Sequence, residues 1–358
     1  MFKFIFRIAL FIGLPLVAAI FTYRYLSSVF LIPANSNDKN IILFEITQGD
    51  SFREIAKKLE AQRLINYWWS LDILARIGKR DTLIRAGEYE LKPSMKPQEI
   101  LAKLLSGEVF KRKVLVKEGA TIKQIAKLLE EAGLISAESF ITTSRDQTLL
   151  KTAGIKHDSF EGYLFPETYL FSRPITAKDV IWRMLEEGDN RWPTEYTERA
   201  DQLNMVRHEV LTLASIIEKE SGNFQEQPTI ASVFHNRLGQ GMRLQADPTV
   251  IYGLENFDGN IRKADLSNPH RYNTYVHFGL PPGPICNPGA SAIKAALYPT
   301  ETAYLFFVSN GQGSHIFSAT LQEHNNAVNR YQRGISTENN REAAPAPSAS
   351  PSPASEEA

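Results

Sequence analysis

The residues best suited to chemistry are two acids at the end of an apolar run. Residues 211–222 read LTLASIIEKESG, in which Leu211, Leu213, Ala214, Ile216 and Ile217 recur at helical spacing and define a buried face. On that helix Lys219 falls opposite the buried face, while Glu218 and Glu220 fall on its flanks, Glu220 nearer the buried centre. Ser221 and Gly222 should end the helix. A carboxyl group there has two reasons to hold its proton: partial burial and the negative end of the helix dipole both disfavour the charged form. A carboxylic acid still protonated near neutral pH is what general-acid cleavage of a glycosidic bond requires. Taken alone, the same pair also fits a solvated helix end, salt-bridged to a nearby cation. Ser215 lies mid-helix with no nucleophile-elbow glycines around it, which argues against a serine hydrolase.

Four further blocks surround this helix: EGYLFPETYLF (161–171), MRLQADPTVIYGL (from Met242), YNTYVHFGLPPGPICNPGA (272–290) and YLFFVSNGQGSHIF (304–317). Gln245, Asp247 and Asn273 carry amide or carboxylate groups suited to sugar hydroxyls or acetamido groups, and Tyr252 and Tyr275 offer faces for sugar stacking. Glu161 and Glu167 flank an aromatic run, and Glu167 is the better candidate of the two for a place in the site. The competing reading of the Asp and Asn residues is loop pinning, since both commonly hydrogen-bond their own turn backbone. His315 and His324 have no metal-ligand spacing between them, and no metal or other cofactor is expected.

The elements that must position these groups are legible in outline. Among 358 residues, 43% are apolar and 22% charged, which describes a globular chain with a real core. Formal charge is zero, so nothing global points to a nucleic-acid partner. The single Cys286 excludes an internal disulfide and a cysteine-cluster metal site. Helices are expected over 180–187, through most of 195–218, and over 228–238, where Pro228 stands at a tolerated N-terminal position and Gly239 and Gly241 follow. The stretch from Met242 to Pro288 is loop-rich but aromatic, which argues for order. Tyr304–Ser309 reads as a strand, with residues 315–317 as its hairpin partner across Asn310-Gly311.

The chain also repeats itself. ITQGDSFREIAKKLEAQRLI (46–65) and VKEGATIKQIAKLLEEAGLI (116–135) align without a gap at an offset of 70 residues. In each copy a strand ends at a glycine (Gly49, Gly119), Ser51 or Thr121 caps a helix, and the apolar positions (Ile55 and Leu59, Ile125 and Leu129) follow at helical spacing. The unit resembles the LysM-type carbohydrate-binding module, which implies a glycan-facing role; a spacer of the same shape is the alternative.

At the N-terminus, 4–23 is apolar except for Arg7 and Thr22. The uncharged part falls a little short of the ~20 residues of a spanning helix, and Arg7 snorkelling to the interface closes the gap. Val17-Ala18-Ala19 offers a signal-peptide cleavage site, but Phe21, Tyr23, Arg24 and Tyr25 read as an interfacial belt that stays in place. An uncleaved single-pass anchor with its N-terminus in the cytoplasm is expected over 1–31, a linker over 32–40 and a disordered Pro/Ala/Ser tail over 336–358.

Together the helix and the four blocks resemble the endolytic murein transglycosylase family, also called YceG-like, over nearly everything from about Ile41 to Tyr331. The family's catalytic glutamate is the second Glu of its EKE segment, which is Glu220 here, with Glu218 as the fallback. The resemblance implies cleavage of the bond between N-acetylmuramic acid and N-acetylglucosamine within nascent peptidoglycan strands, leaving 1,6-anhydro ends. It also implies work beside glycan polymerases (penicillin-binding proteins) at the outer face of the inner membrane, with the catalytic domain periplasmic. A lysozyme-like muramidase and a non-catalytic peptidoglycan-binding scaffold remain as alternatives. The expected fold is α+β: an N-terminal transmembrane helix, a LysM-like subdomain over 41–110, then a helix-rich mixed catalytic domain over 111–335 that opens with the second repeat.

Overall fold

The structure, a computed structural model, describes residues 13–78 and 84–333. The elements run α1 (Leu14–Phe30), β1 (Ile42–Ile46), α2 (Phe52–Ala61), α3 (Trp68–Gly78), β2 (Gly87–Leu91), α4 (Pro97–Ser106), β3 (Arg112–Leu115), α5 (Ile122–Glu131), α6 (Ala137–Thr143), α7 (Gln147–Thr152) and β4 (Thr168–Phe171). There follow α8 (Ala177–Asn190), α9 (Thr194–Gln202), α10 (Arg207–Glu220), α11 (Gln227–Gly239), α12 (Asp247–Gly253), α13 (Lys263–Leu266), α14 (Ala290–Leu297), β5 (Phe306–Ser309), β6 (His315–Ser318) and α15 (Leu321–Tyr331). The fold is mixed α+β with many helices. Its strands form three antiparallel pairs, β1–β2, β3–β4 and β5–β6. The expected membrane span over 4–23 lies partly outside the described residues. Among the described residues no helix is long and apolar enough to cross a membrane. The tail over 336–358 lies wholly outside them.

The chain divides into two compact units. The first runs to Leu115 and takes in Lys127–Ala137 and Thr168–Asp179; the second holds Val116–Ala126, Glu138–Glu167 and the chain from Val180.

The repeat appears as two strand–turn–helix units of matching design. In the first, Gly49 takes φ +94° to turn the chain out of the strand segment. Ser51 then caps α2: its hydroxyl accepts from the Glu54 N–H at 3.4 Å, and the Glu54 carboxylate accepts from the Ser51 N–H at 2.8 Å. In the second, Gly119 takes φ +73°, and Thr121 and Gln124 exchange the same pair of bonds at 3.3 and 2.9 Å. Ile55, Leu59, Ile125 and Leu129 are all buried, as helical spacing predicts. Each repeat strand finds an antiparallel partner much later in the chain: Ile46 lies opposite Gly87, and Leu115 opposite Thr168.

In the second unit the core is built around α10. Its residues Val210 to Ile217 are buried without exception, so this is a helix enclosed on all sides rather than an amphipathic one. It packs against α14, whose Ala292, Ala295 and Ala296 are also buried, and small side chains on that face let the helices lie close. Ser215 serves this packing: its hydroxyl donates to the Thr212 carbonyl at 2.7 Å and accepts from the Ile285 N–H at 3.0 Å.

The long segment from Met242 to Pro288 is ordered, with two short helices and a set of buried polar anchors. Asn287 is one of these and is fully buried. Its side-chain oxygen accepts from the N–H groups of Gly162 and Leu164, both at 2.9 Å, and its amide donates to the Ala120 carbonyl at 2.9 Å and the Glu161 carboxyl at 3.0 Å. The segments around 120, 162 and 287 are thereby fastened to one side chain. Gly162 fits because it has no Cβ: its φ is +86°, and a Cβ would lie 2.3 Å from the Pro284 ring.

Replacing Asn287 with Ala leaves several buried donors and acceptors without partners, each costing roughly 1–3 kcal/mol. We expect Asn287→Ala to lose about 3 kcal/mol or more in urea unfolding of the purified protein. A loss below about 1 kcal/mol would show that the three segments do not depend on this side chain.

Candidate active site

Helix α10 ends at Glu220. Ser221 leaves helical geometry with φ −139° and ψ 126°, is itself buried, and its hydroxyl accepts from the Asn223 N–H at 3.0 Å, which turns the chain away. The fully buried run before it leaves α10 no freedom to rotate, so the direction in which its last residue projects is fixed by core packing.

Glu220 is half-buried, and its carboxyl is pushed up to about 8. Burial is the main cause, the negative charge of Asp247 adds to it, and the Arg237 guanidinium opposes it. Arg237 makes no ion pair with the acid among the described residues, and two of its nitrogens donate elsewhere. Nε donates to the Leu305 carbonyl and Nη1 to the Leu244 carbonyl, each at 2.6 Å, and the guanidinium stacks 5.3 Å from the centre of the Phe306 ring. Among the described residues the Glu220 carboxyl has no hydrogen-bond or ion-pair partner, which suits a group that must release its proton to a ligand.

Glu218 differs. Its carboxylate accepts from the Gly289 N–H at 3.0 Å, at the start of α14, and burial, with the nearby charge of Glu118, raises it. One of the two acids therefore fastens helices together and the other stands free.

Asp247 opens α12, and the Tyr275 hydroxyl donates to its carboxylate at 2.6 Å. Buried Thr274, beside Tyr275, holds the other side of this turn. Its carbonyl accepts from the Gln245 N–H at 3.1 Å, and its hydroxyl accepts from the Ala246 N–H and bonds the Thr249 hydroxyl, both at 2.9 Å. Gln245 is held at φ +52°, a conformation that non-glycine residues adopt rarely and that the Thr274 bonds enforce. Gln245 is exposed, two residues before Asp247. The two sequence blocks thus interlock, and the lock aims Asp247 and Tyr275.

Tyr252 lies about 7.5 Å further along the same helix from Asp247, given the helical rise. Its ring packs 4.8 Å from that of Tyr272. The pair lines a cavity of about 510 Å³ with Glu161, Arg145, His270 and Arg271. Glu161 is buried there, accepting from the Ile122 N–H at 3.1 and 3.2 Å and from Asn287 at 3.0 Å, with the Tyr252 hydroxyl as a further donor. Burial, opposed by these donors, pushes it to about 8.

The remaining candidates lie elsewhere. Asn273 is buried under the loop: its amide donates to the carbonyls of Asp265, Leu266 and Asn268, and its oxygen accepts from the Tyr275 N–H at 2.9 Å. That is loop pinning directly behind Tyr275. Glu167 pairs with Arg191 at 3.0 Å. The structure therefore brings Glu220, Asp247 and Tyr275 together, leaves Gln245 exposed two residues before Asp247, places Tyr252 at the far end of α12 and leaves Asn273 in the scaffold.

Arg237 and Thr274 were not singled out from the sequence. A signal for Arg237 existed: Ile230, Phe234 and Arg237 share one face of α11, and a charge inside an apolar stripe marks a buried, committed cation. For Thr274 nothing local distinguished it from its neighbours.

The chain is similar to several known proteins. The endolytic murein transglycosylase of Bacillus subtilis (strain 168) is 33% identical over 315 residues, 84% of this chain and 87% of that protein. The protein of the same name from Streptococcus pneumoniae serotype 2 is 28% identical over 351 residues, 89% of this chain, which spans only 63% of that longer relative. The crystal structure of a YceG-like protein from Listeria monocytogenes matches with a TM-score of 0.56 and 36% identity, covering 80% of this chain and 99% of that one. The model of the YceG-like family matches residues 44–330, so the repeats, the α10 helix and the interlocked loop blocks all fall inside it, and the chain belongs to the YceG-like family.

Proposed function

We propose that this chain is a lytic transglycosylase that cuts peptidoglycan glycan strands internally, with Glu220 as its acid and base. The observation that carries the reading is the free Glu220 carboxyl at the end of a buried helix, raised to about 8 and therefore protonated at neutral pH. The names of the relatives from B. subtilis and S. pneumoniae supply the substrate class.

The reaction follows from one carboxyl group used twice. Glu220 gives its proton to the oxygen bridging N-acetylmuramic acid and N-acetylglucosamine, and the bond from that oxygen to C1 breaks. The carboxylate left behind takes the proton of the muramoyl C6 hydroxyl as that oxygen closes onto C1. The product is a 1,6-anhydro end and no water is consumed. A hydrolase must position a water molecule and commonly uses two carboxyl groups to do so. Here the nucleophile is already part of the substrate, and holding the sugar in place supplies its effective concentration. Gln245, Asp247, Tyr252 and Tyr275 are the side chains we assign to sugar contact, with Asn273 acting behind them. Glu167 is the weakest of the assignments, given its pairing with Arg191.

The wider setting follows from the same reading. Helix α1 and the residues before it anchor the chain in the inner membrane with the catalytic domain in the periplasm. The two repeat units face the glycan, and cutting beside peptidoglycan polymerases ends strand elongation. The apolar, exposed side chains of α1, such as Leu16, Ile20 and Phe21, support the anchor.

Mass spectrometry of muropeptides released from purified peptidoglycan tests the chemistry. Wild type should leave anhydro ends, and Glu220→Gln should leave none while still binding glycan. Reducing ends would make the protein a muramidase, and undiminished cutting by the variant would remove Glu220 from the reaction. Activity should also fall as pH rises through about 8, because the proton donated in the first step is then lost. The same proton affects folding. A carboxyl that titrates near 8 when folded and near its ordinary 4.5 when unfolded makes the wild type lose stability as pH rises between those values. Glu220→Gln should lack that loss and melt higher than wild type at pH 8, as read by thermal unfolding across the range.

A further inference from the structure

We propose that Asp247 is the second carboxyl group of the reaction, a fixed negative charge aimed by the Tyr275 hydroxyl at the positive charge that develops on the cleaved sugar. The inference rests on the reading of Glu220 given above and extends it, because in that reading the carboxylate left on Glu220 must serve as the base as well as face the cationic sugar.

Three observations converge on it. Asp247 is exposed, yet held by a 2.6 Å bond from Tyr275, which is itself fixed from behind by buried Thr274 and Asn273. A carboxylate meant only to cap its own turn would not need an aromatic hydroxyl from 28 residues away. Its charge reaches Glu220, where it is the second cause, after burial, of that acid keeping its proton. Among the described residues it has no cationic partner. Arg237, the cation that acts on Glu220, donates through Nε and Nη1 to the carbonyls of Leu305 and Leu244.

The charged and titratable groups facing Glu220 are thus Asp247 from α12, Tyr275 from the following loop and Arg237 from α11. Glu220 and Asp247 form a pair of carboxyl groups in contrasting settings, the first kept neutral mainly by burial and the second exposed at the surface. Such a pairing divides the acid role from the charge-stabilising role.

In the first step the Glu220 proton moves to the bridging oxygen, the electron pair of the C1–O bond leaves with that oxygen, and the sugar becomes cationic. Asp247 stabilises this cation without forming a bond. In the second step the C6 oxygen supplies the electron pair that closes on C1, its proton returns to Glu220, and Asp247 ends as it began. A fixed charge of this kind acts in the transition state and not in the ground state, so its removal reads out in kcat rather than KM.

The test compares full-length Asp247→Asn, Tyr275→Phe and Glu220→Gln for release of anhydro muropeptides as a function of pH. Asp247→Asn should lower kcat by about 10²–10³-fold with KM little changed. The alkaline limb of its residual activity should move to lower pH, because Glu220 loses the neighbouring charge that holds its proton. Tyr275→Phe, which leaves the carboxylate in place but unaimed, should show a smaller loss of kcat. Asp247 is exposed, so its variant should fold, and a thermal melt close to wild type confirms that. A raised KM at wild-type kcat would reduce Asp247 to a binding residue and overturn the proposal, as would an alkaline limb that stays where it is. If Glu220→Gln cuts at the wild-type rate, the fault lies with the acid assignment. If Glu220→Gln is inactive and Asp247→Asn is as fast as wild type, only the role of Asp247 falls.

Discussion

A carboxyl group taken out of water without a partner is the constraint around which the second unit is organised. Such a group is costly to hold in its charged form, and the least costly response is to keep the proton. The fold creates that situation at Glu220 by enclosing the whole of α10 from Val210 to Ile217 and ending the helix at its last carboxylate. Arg237 does not relieve it with a salt bridge; its Nε and Nη1 donate instead to the carbonyl oxygens of Leu305 and Leu244. Burial without that partner keeps a helix-terminal glutamate protonated at neutral pH.

The loops that surround the acid owe their order to polar anchors rather than to apolar bulk. Asn287 fastens three segments through four hydrogen bonds, Thr274 locks the turn that carries Asp247, and Asn273 gathers three carbonyls beneath Tyr275. A buried amide with every donor and acceptor used is rigid, and it specifies one arrangement because any other strands its partners. That explains how a segment running from Met242 to Pro288, with little regular structure, can hold side chains accurately enough for chemistry. Glu161 belongs to the same system: it joins the start of α5, Asn287 and Tyr252, and so ties the second repeat to the helix that carries Asp247.

The duplicated units illustrate the reverse economy, a design that local sequence specifies almost completely. Glycine at positive φ, a hydroxyl cap answered by Glu54 or Gln124, and two apolar residues one turn apart suffice to define strand, turn and helix. What each unit lacks is the second strand of its sheet, which arrives from far along the chain. A lone strand leaves its hydrogen-bonding edges open, so neither unit could be complete without the residues around 87–91 or 168–171.

The sequence by itself marked several of the elements and named Glu220 as the candidate acid. Helical spacing drew α10 and α11, the capping residues placed the repeat helices, and Asn310-Gly311 marked the β5–β6 hairpin, because these signals act between near neighbours. It also placed Glu220 closer to the buried face than Glu218. Only the tertiary structure decided which polar residues stay exposed and which hold the loops, since Asn273 and Asp247 look alike in sequence and differ in burial and in what lies within hydrogen-bond reach. It alone revealed Arg237 as a cation committed to carbonyls and Glu161 as a buried anchor. Burial and hydrogen-bond pairing between segments more than a hundred residues apart are properties of three-dimensional packing, and no local pattern encodes them.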